Sequence, residues 1–349
     1  MPKINQKIIA TWLYLEGIGE DGIYPQVPGS SSTSRFHDIY KRCLVTFFLS
    51  ARAANDTAEL FLFSNINLGL SQRDFDLSIL KILNSLGVSI IVLPYTHTPP
   101  SEQKMWRNQF FVIDILKHFS NFLEKDDLCL ILDSDIIWSG SASTKKLWQD
   151  LGNVGSLIML PIMDKDELIN GLTITELQKT SNLMGNFASP QQYAGGEFIA
   201  LRGDRLKQVY DSSEILWKKY FSLASSGKVN FMEEAHFLSI VYASLKLPFG
   251  NGDKYIKRIW TQVLHYSNRD VSDCELSLWH LPAEKRFGLR RIADEYISGK
   301  SLAWPEPKGK EWVEIVYKLG IVRSFNSKII LDISKSIIDR VWNWKTILF

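Results

Sequence analysis

Cysteine is scarce in this chain, which argues against a fold built on disulfides. The 349 residues include three cysteines, Cys43, Cys129 and Cys274, which are odd in number and far apart in the sequence. Disulfide scaffolds use even, closely spaced sets of cysteines in short chains. Cys129 also lies inside an apolar run. We therefore expect reduced, buried thiols.

Long hydrophobic runs are also absent, since no segment reaches the roughly eighteen uncharged residues that a membrane span needs. Lysines precede the apolar or small residues 8–15, which are interrupted by Thr11 alone, and a signal peptide has a similar pattern. Glu16 and Glu20 follow directly, however, and no small-residue cleavage site is evident. We therefore interpret residues 7–13 as a core strand and expect a cytoplasmic enzyme.

Neither charge is in marked excess, and there is no internal repeat or low-complexity segment. Lys and Arg together number 40 against 38 Asp and Glu, which gives a net charge of +2. This balance does not call for a nucleic-acid partner, so any anion site must be local. Apolar residues make up 45% of the chain, enough to bury the core of one large domain or of a domain with an appended lobe.

The first half of the chain alternates short β-rich runs with longer helical patterns, as in a sheet fed by crossover helices. We predict strands at residues 7–13, 60–63, 88–93 and 128–132, and helices at 35–55, 74–86 and 110–123. The second half is less regular. Its predicted elements are a strand at 157–161, a Gly-rich run at 193–201, and helices at 205–221 and 233–245. We expect an α/β core with a second lobe.

One acidic pair stands where a ligand is expected. Of three Asp-x-Asp sequences, one opens a predicted helix at Asp74 and one lies in a charged loop at Asp164, whereas Asp133-Ser134-Asp135 closes the apolar strand 128–132. Ligands of open α/β sheets collect beyond the carboxyl ends of the strands. Two buried carboxylates need a cationic partner, and no Lys or Arg lies in the next eight residues. A divalent ion such as Mg²⁺ or Mn²⁺, completed by substrate phosphates, is the simplest partner.

The sequence LCLILDSDIIW, residues 128–138, resembles the DxD segment of GT-A glycosyltransferases, which use nucleotide-diphospho-sugar donors. The resemblance covers residues 5–295. It implies an α/β fold of the Rossmann-like GT-A type, with a mixed sheet flanked by helices, a smaller acceptor-side lobe and C-terminal helices. In that family the first Asp contacts the ribose or the metal and the last Asp binds the metal. These roles would fall on Asp133 and Asp135.

The resemblance also suggests a division of the chain. We expect residues 1–295 to form the glycosyltransferase domain, with 1–138 as its nucleotide-binding half and 139–295 as its acceptor and sugar half. Residues 296–349 would then be a C-terminal helical extension.

Two downstream segments resemble elements of the same family. In YAGGEF, residues 193–198, Gly195 and Gly196 would permit close approach of the backbone to the donor sugar, and Glu197 could accept hydrogen bonds from its hydroxyls. A strand-end turn is the alternative. In Glu233-Glu234-Ala235-His236, the acids resemble those that many members place near the acceptor or the sugar.

The helix dipole alone would also favour Glu233 and Glu234 in a first helical turn. If the transfer inverts the anomeric centre, one of these two acids is the candidate base. If the transfer retains the configuration, no dedicated base is required.

The segment WHLPAEKRFG, residues 279–288, is similar to a late element of glycogenin-like members, where a His is a third metal ligand and a Lys binds the diphosphate. His280 and Lys285 would take these roles. The match is partial, since Arg286 and Phe287 stand where those members have Pro and Trp, and His265 is a competing ligand. The basic cluster formed with Arg286, Arg290 and Arg291 would neutralise the diphosphate, or is a solvated helix face.

Two further nucleotide contacts are suggested by their positions. Arg107 precedes the helix that leads to the DxD strand, where the family often holds the nucleotide. Thr11 lies at the end of the first strand.

The C-terminal segment has an apolar helical stripe with interspersed basic residues. The stripe comprises Ile330, Ile333, Ile337, Val341, Trp344 and Leu348, and the basic residues are Lys335, Arg340 and Lys345. Such a helix would suit an anionic membrane surface. Packing on the protein's own domain is the alternative that we favour.

These features predict a metal-dependent glycosyltransferase that uses a UDP-sugar and Mn²⁺ or Mg²⁺. The acceptor would be a glycan, glycolipid or protein, with bacterial surface polysaccharide synthesis as the expected setting and peripheral contact with the inner face of the membrane as an option. A haloacid-dehalogenase phosphatase is disfavoured by the central position of the DxD and by Ile137 two residues beyond it. A non-catalytic carbohydrate-binding protein could use the 11 Trp and 12 Tyr to stack on sugars.

Overall fold

A mixed β-sheet of seven strands forms the centre of the fold. The computed structural model describes residues 5–20, 22–159, 166–185, 188, 190–231, 233–246, 248–262, 266–300, 303–307, 309–321, 329–334 and 336–337. The sheet has the strand order β3-β2-β1-β4-β7-β6-β8. Its strands are β1 (Lys7–Leu13), β2 (Glu59–Ser64), β3 (Val88–Val92), β4 (Leu128–Leu132), β6 (Ser156–Ile158), β7 (Phe198–Arg202) and β8 (Gly250–Asn251).

Strands β1 to β4 run parallel, whereas β7 runs antiparallel to both β4 and β6. The carboxyl ends of β1 and β4 therefore lie side by side at one edge of the sheet. The predicted strands at 7–13, 60–63, 88–93 and 128–132 are confirmed.

Helices cover both faces of this sheet, because its strands are apolar on both sides. In β1, Ile9 and Leu13 enter one core while Ile8 and Ala10 enter the other. The first face is covered by α1 (Ser34–Ala54), α2 (Asp74–Ser85), α4 (Ser143–Val154), α8 (Gly288–Ile297) and α9 (Lys310–Lys318). The second is covered by α3 (Phe111–Phe122), α5 (Ile174–Leu183), α6 (Gly203–Ser225) and α7 (Glu234–Leu245). The predicted α/β class, a mixed sheet flanked by helices, is confirmed.

A second sheet, which the sequence did not predict, joins the first at the acidic pair. It has the order β5-β12-β9, with β5 at Ile136–Trp138, β9 at Ile256–Arg258 and β12 at Leu278–His280. Only three residues separate the end of β4 from the start of β5. The turn that contains both aspartates therefore connects the two sheets. A two-stranded ribbon, β10 (Thr261–Gln262) and β11 (Tyr266–Ser267), lies beyond β9 in the chain.

The thiol predictions hold in part. All three cysteines are free, and Cys43 and Cys129 are buried. The prediction is wrong for Cys274, which is exposed because it lies in a 3₁₀ turn at the surface rather than in a strand or helix of the core.

The C-terminal stripe does not pack on the domain where it is described. Residues 329–334 and 336–337 are helical, yet Ile330, Ile333 and Ile337 are 66%, 44% and 57% exposed. The favoured packing prediction is therefore wrong for these three side chains. The remaining members of the stripe, and the three basic residues interspersed with it, lie outside the described residues. Among the helices that are described, none is long and apolar enough to cross a membrane.

A buried Asp ties the loop after β3 to the helices beside it. Asp114 in α3 accepts hydrogen bonds from the backbone N–H groups of Thr96 and His97, at 2.8 and 3.3 Å. Its other oxygen lies 2.7 Å from His97 Nδ1, and His97 Nε2 lies 3.1 Å from Glu214 of α6. Burial acts to raise the pKa of Asp114, but the hydrogen bonds from His97 and Thr96 outweigh it and lower this pKa.

Asp114→Asn should lower the free energy of unfolding at pH 7 by about 1–3 kcal/mol, because it replaces a buried, multiply bonded acceptor. The pKa of Asp114 is lower in the folded state than in the unfolded chain, where it is about 4. Its contribution to the free energy of unfolding is therefore complete above the unfolded-state pKa and is lost as the pH falls through the folded-state pKa. Urea unfolding at pH 7 and pH 3 should show that the difference in free energy of unfolding between wild type and variant becomes smaller in acid. Asp211→Asn, at an exposed position on α6, is the control, and a gap that stays constant with pH would contradict the assignment.

Candidate active site

The acidic turn is fixed by one backbone bond to each sheet. The Asp133 N–H donates to the carbonyl of Glu197 at 3.2 Å, which extends the pairing of β4 with β7. The N–H of Leu281 donates to the carbonyl of Asp135 at 3.1 Å, which extends the pairing of β5 with β12. The two carboxylates are thus held at the junction of the sheets.

His280 and Lys285 approach the aspartates from the second sheet. His280 ends β12, and its Nε2 lies 3.2 Å from Asp135 Oδ2 and 3.7 Å from Asp133 Oδ2. Lys285 follows in the next 3₁₀ turn, and its Nζ lies 2.8 Å from Asp135 Oδ2. The structure therefore brings together four of the side chains that the resemblance selected. It also supplies a cation for Asp135 from a distant part of the chain, which a search of neighbouring residues could not find. His265 lies outside the described residues.

The two aspartates and His280 could hold a metal ion. They offer one ligand atom each, and these atoms all lie within 4.8 Å of one another. Asp135 Oδ2 is buried and lies 3.2 Å from His280 Nε2 and 2.8 Å from Lys285 Nζ, so cationic groups already surround the oxygen that faces this cluster. The donor set, two carboxylates and an imidazole, fits a divalent cation.

The electrostatics of this trio are set by burial and by mutual contact. Burial raises the pKa of Asp133 to about 6, and Asp135 adds to this effect. Burial would also raise the pKa of Asp135, but Lys285 and His280 outweigh it and hold this pKa well below its usual range. Burial acts to lower the pKa of His280, but Asp135 and Glu197 raise it to about 9. Binding of a metal at Nε2 of His280 would therefore release a proton.

Glu197 makes a different contact from the one the sequence predicts. Its Oε1 lies 2.8 Å from Arg258 Nε, 2.6 Å from Arg258 Nη2 and 3.1 Å from His280 Nδ1. Burial opposes ionisation of Glu197, but Arg258 and then His280 hold its pKa well below the usual range. The prediction that Glu197 contacts sugar hydroxyls is therefore not supported at Oε1, which is already used by two cationic groups.

The two predicted glycines differ in position. Gly196 lines the cavity in front of the aspartates, and a Cβ at this residue would overlap Glu234 Oε1. Gly195 is not among the lining residues, and its N–H donates to the carbonyl of Met159 at 3.0 Å. The absence of a side chain at Gly196 therefore leaves space for the side chain of Glu234.

The neighbouring acids Glu233 and Glu234 have unlike surroundings, although both line the cavity. Glu233 Oε2 accepts a hydrogen bond from Asn170 Nδ2 at 2.5 Å, and its Oε1 accepts one from the hydroxyl of Tyr193. Glu234 Oε2 is buried and has no hydrogen-bond partner among the described residues. Burial, then the charges of Glu233 and Asp133, raise the pKa of Glu234 well above its usual value.

The aspartates open onto a cavity of about 270 Å³. Its lining includes six aromatic residues, which we call the aromatic wall, namely Trp12, Tyr14, Tyr24, Phe36, Tyr40 and Trp106. Trp106 has a left-handed backbone, with φ of 43°, which is rare for a bulky residue and is found mostly at constrained or functional positions. Gln26, Asn108 and Gln109 also line the cavity, and the buried Oε1 of Gln109 has no hydrogen-bond partner in the described part of the chain.

Two predicted nucleotide contacts are not placed at the cavity. Thr11 has no exposed surface, because β1 continues two residues beyond it, and Trp12 and Leu13 line the cavity instead. The side chain of Arg107 donates to the carbonyl of Pro100 at 3.1 Å, while Trp106 and Asn108 on either side are lining residues.

Only part of the predicted basic cluster lies at the cavity. Lys285 alone among its four members lines the cavity. Arg290 lies 3.7 Å from Asp294 and Arg291 lies 2.8 Å from Asp332, so both are held by acids on the helix side. These two arginines therefore contact neighbouring acids and do not line the cavity, and with side chains 28% exposed they are not a fully solvated face either.

Arg258 is the main site residue that the sequence does not reveal. It lies in a strand of three residues, and its place beside Glu197 results from pairing of β9 with β12, where its Cα partner is His280. No local pattern marks it. His37, Tyr40 and Trp260, which also line the cavity, have no sequence signal either.

Comparisons with known proteins give a fold-level similarity only. No protein-family model and no curated protein matches the sequence. The galactosyltransferase LgtC, solved in complex with donor and acceptor sugar analogs, is 12% identical with a TM-score of 0.48, covering 88% of this chain and 99% of LgtC. An active-site mutant of LgtC is also 12% identical, with a TM-score of 0.49 and the same shares of both chains. At this identity neither a substrate nor a residue role transfers to this chain.

Proposed function

We propose that this protein is a metal-dependent glycosyltransferase of the GT-A type. It would move a sugar from a nucleotide-diphospho-sugar, with a UDP-sugar as the expected donor, to a glycan, glycolipid or protein acceptor in bacterial surface polysaccharide synthesis. One observation carries the proposal. Asp133, Asp135, His280 and Lys285 converge at the end of a buried strand, in a cavity that also has an aromatic wall.

Charge balance supports an anionic donor bound with a divalent cation. The carboxylates of Asp133, Asp135 and Glu197 outnumber the cations of Lys285 and Arg258 beside them, and Glu233 and Glu234 add two further acids to the cavity. Mn²⁺ or Mg²⁺ held by Asp133, Asp135 and His280 would offset this excess of acids and allow an anionic diphosphate to bind. When bound, such an ion stabilises the negative charge that develops on a leaving diphosphate.

The lining of the cavity supports the orientation of the donor. We propose that Lys285 contacts the diphosphate, because its Nζ already lies beside the metal-binding aspartates. The nucleobase would stack against the aromatic wall, where Tyr24 and Trp106 stand, and the amides of Asn108 and Gln109 would bind its polar edge. In this arrangement residues 1–138 supply the nucleotide half, residues 139–295 the sugar and acceptor half, and 296–349 an extension.

The sugar and the acceptor would meet at Glu234. Of the two candidate acids, Glu233 has both oxygens engaged, whereas Glu234 packs its Oε1 against Gly196 and leaves its buried Oε2 with no hydrogen-bond partner among the described residues. In an inverting transfer Glu234 would take the proton of the acceptor hydroxyl as the C1–O bond to the diphosphate breaks and the bond to the acceptor forms. In a retaining transfer the leaving phosphate would take that proton, and Glu234 would support the positive charge on the sugar ring.

Peripheral contact with the inner face of the membrane is part of the proposal. The exposed side chains of Ile330, Ile333 and Ile337 offer an apolar face, and the sequence around them is basic. An amphipathic helix of this composition suits an anionic lipid surface, where a lipid-linked acceptor would be found.

Asp135→Ala should reduce donor turnover by at least about a hundredfold, because each well-placed electrostatic contact is worth roughly 3–4 kcal/mol in the barrier. The measurement is hydrolysis or transfer across a panel of nucleotide sugars with Mn²⁺, together with thermal melting to show that the fold persists. Asp126→Ala, at an exposed position two residues before β4, is the matched control. Turnover of Asp135→Ala at the wild-type rate would remove the assignment.

The same panel separates the two rival functions. A non-catalytic carbohydrate-binding protein would bind glycans and leave every donor intact in the presence of Mn²⁺. A phosphatase would release phosphate from simple phosphate esters without any sugar nucleotide.

Glu234→Gln should lower kcat by about a hundredfold or more, while the Kd values for Mn²⁺ and for the free nucleoside diphosphate stay unchanged, because its carboxyl acts on the reacting groups. Glu233→Gln should mainly lower the melting temperature, since it disturbs the hydrogen bonds to Asn170 and Tyr193. An equal or larger loss of kcat in Glu233→Gln, measured well below its melting temperature, would reverse the assignment.

Truncation after Ser324 should abolish flotation with vesicles that contain phosphatidylglycerol, because it removes the apolar stripe and its basic residues. The full chain should float with these vesicles, less so with pure phosphatidylcholine, and less at high salt. Equal flotation of the full and truncated chains, or flotation of neither, would contradict the membrane proposal.

A further inference from the structure

Three side chains form a continuous line of contacts that ends at the aspartates. Arg258 Nε and Nη2 lie 2.8 and 2.6 Å from Glu197 Oε1, and the same oxygen lies 3.1 Å from His280 Nδ1. The opposite ring nitrogen, His280 Nε2, faces Asp135 Oδ2 at 3.2 Å. We call these three residues the Arg258–Glu197–His280 line.

Backbone pairing holds the line in register. His280 is the Cα partner of Ile136 on one side and of Arg258 on the other. Glu197 precedes β7, and its carbonyl accepts the hydrogen bond from Asp133 N–H. The line therefore spans both sheets, with its first and last members in the second sheet and Glu197 in the first.

The hydrogen bond at Nδ1 decides which nitrogen of His280 can serve a metal. An imidazole that donates its Nδ1–H to a carboxylate presents Nε2 as the ligand, and the carboxylate also fixes the orientation of the ring. The side chain of Glu197 is only 2% exposed, so no bulk water competes for this contact. Glu197 can hold His280 in this way only if Glu197 itself is held.

We propose that Arg258 is a positioning residue of the metal site, which fixes the Glu197 carboxylate so that Glu197 directs Nε2 of His280 toward Asp133 and Asp135. The inference rests on the proposed function in one respect, namely that a divalent cation binds there. It assigns Glu197 to the support of a metal ligand rather than to a sugar hydroxyl.

Arginine suits this position better than lysine. Two nitrogens of its planar guanidinium contact one carboxylate oxygen, a grip that the single ammonium of lysine cannot reproduce. Without that grip, Glu197 would be a buried acid beside two aspartates and would be repelled by both. Its carboxylate would then swing from His280 or take up a proton, and in either case the ring would lose its fixed orientation.

The test is the affinity for Mn²⁺ alone, measured without nucleotide by the loss of the free-ion EPR signal. Arg258→Met should raise the Kd for Mn²⁺ by about 10–100-fold, the usual effect of losing an outer support of a ligand. Arg258→Lys should recover part of that loss, because it restores the charge but not the two-nitrogen contact. Partial rescue of this kind would not follow from a general disturbance of the fold.

Lys257→Met is the matched control. Lys257 is the adjacent residue of the same strand, but its Nζ bonds to Asp273 and to the carbonyl of Asn268, at 2.7 and 2.8 Å, away from the line. This variant also loses one cation from β9, and it should bind Mn²⁺ with the wild-type Kd.

A double variant distinguishes a specific loss of Mn²⁺ affinity from misfolding of Arg258→Met. Glu197→Gln combined with Arg258→Met removes the unpaired acid, so it should melt closer to wild type than Arg258→Met does, yet it should still bind Mn²⁺ more weakly than wild type. Wild-type affinity in Arg258→Met, or a change only in the KM for the donor, would overturn the inference and return Glu197 to a sugar contact. Failure of the wild-type protein to bind Mn²⁺ would overturn the metal site itself, and this inference with it.

Discussion

The constraint around which this structure is organised is the concentration of three carboxylates at one corner, of which Asp135 and Glu197 are buried and Asp133 is partly buried. Asp133, Asp135 and Glu197 lie at the tips of two adjacent strands, where water cannot solvate them fully. A buried carboxylate without a cation costs several kcal/mol, so the fold must bring cations to this point. It does so with Lys285 and Arg258, both of which come from the second sheet and the turn that follows it. The three carboxylates can therefore lie together only because the second sheet and the turn after it supply these cations.

The same corner couples the two sheets mechanically. The turn between β4 and β5 is bonded to the first sheet through Asp133 N–H and to the second through the carbonyl of Asp135. Any displacement of one sheet against the other would change the distance between the two carboxylates and their distance to His280. Interiors packed on both faces of a sheet resist such displacement. The ligand atoms therefore stay within one metal-sized cluster without help from a flexible loop.

Local patterns predicted the strand and the acids, because those signals are contained in a few consecutive residues. Leu128–Leu132 is apolar throughout and fully buried, and the aspartates follow it directly. His280 and Lys285 could be found only through a resemblance, since nothing in their neighbours indicates a metal or a phosphate. Thr11 shows that a correctly predicted strand does not reveal which of its residues reaches the site, because β1 ends at Leu13 as expected and the side chain of Thr11, two residues earlier, lies inside the core.

Long-range pairing accounts for what the sequence could not predict. Arg258 reaches Glu197 because β9 pairs in parallel with β12, and the register of two three-residue strands has no sequence signature. The arginines at 290 and 291 resemble a phosphate site in sequence, yet Asp294, one helical turn away, and Asp332, from a later segment, hold them on the helix side. The partner of Arg290 follows from helical spacing, whereas the partner of Arg291 is brought there by the packing of a distant segment.

The difference between the surroundings of Glu233 and Glu234 also results from long-range packing. Both acids stand at the start of α7, where the helix dipole favours either, so the sequence cannot rank them. In the fold, Asn170 and Tyr193 satisfy Glu233, whereas Gly196 gives Glu234 room to enter the cavity with an oxygen left unbonded. Burial raises the pKa of Glu234 well above its usual value, so this acid is less well satisfied by its surroundings than Glu233. Since perturbed acids of this kind concentrate where side chains act on substrates, the proposed function ranks Glu234 above Glu233 as the reactive acid.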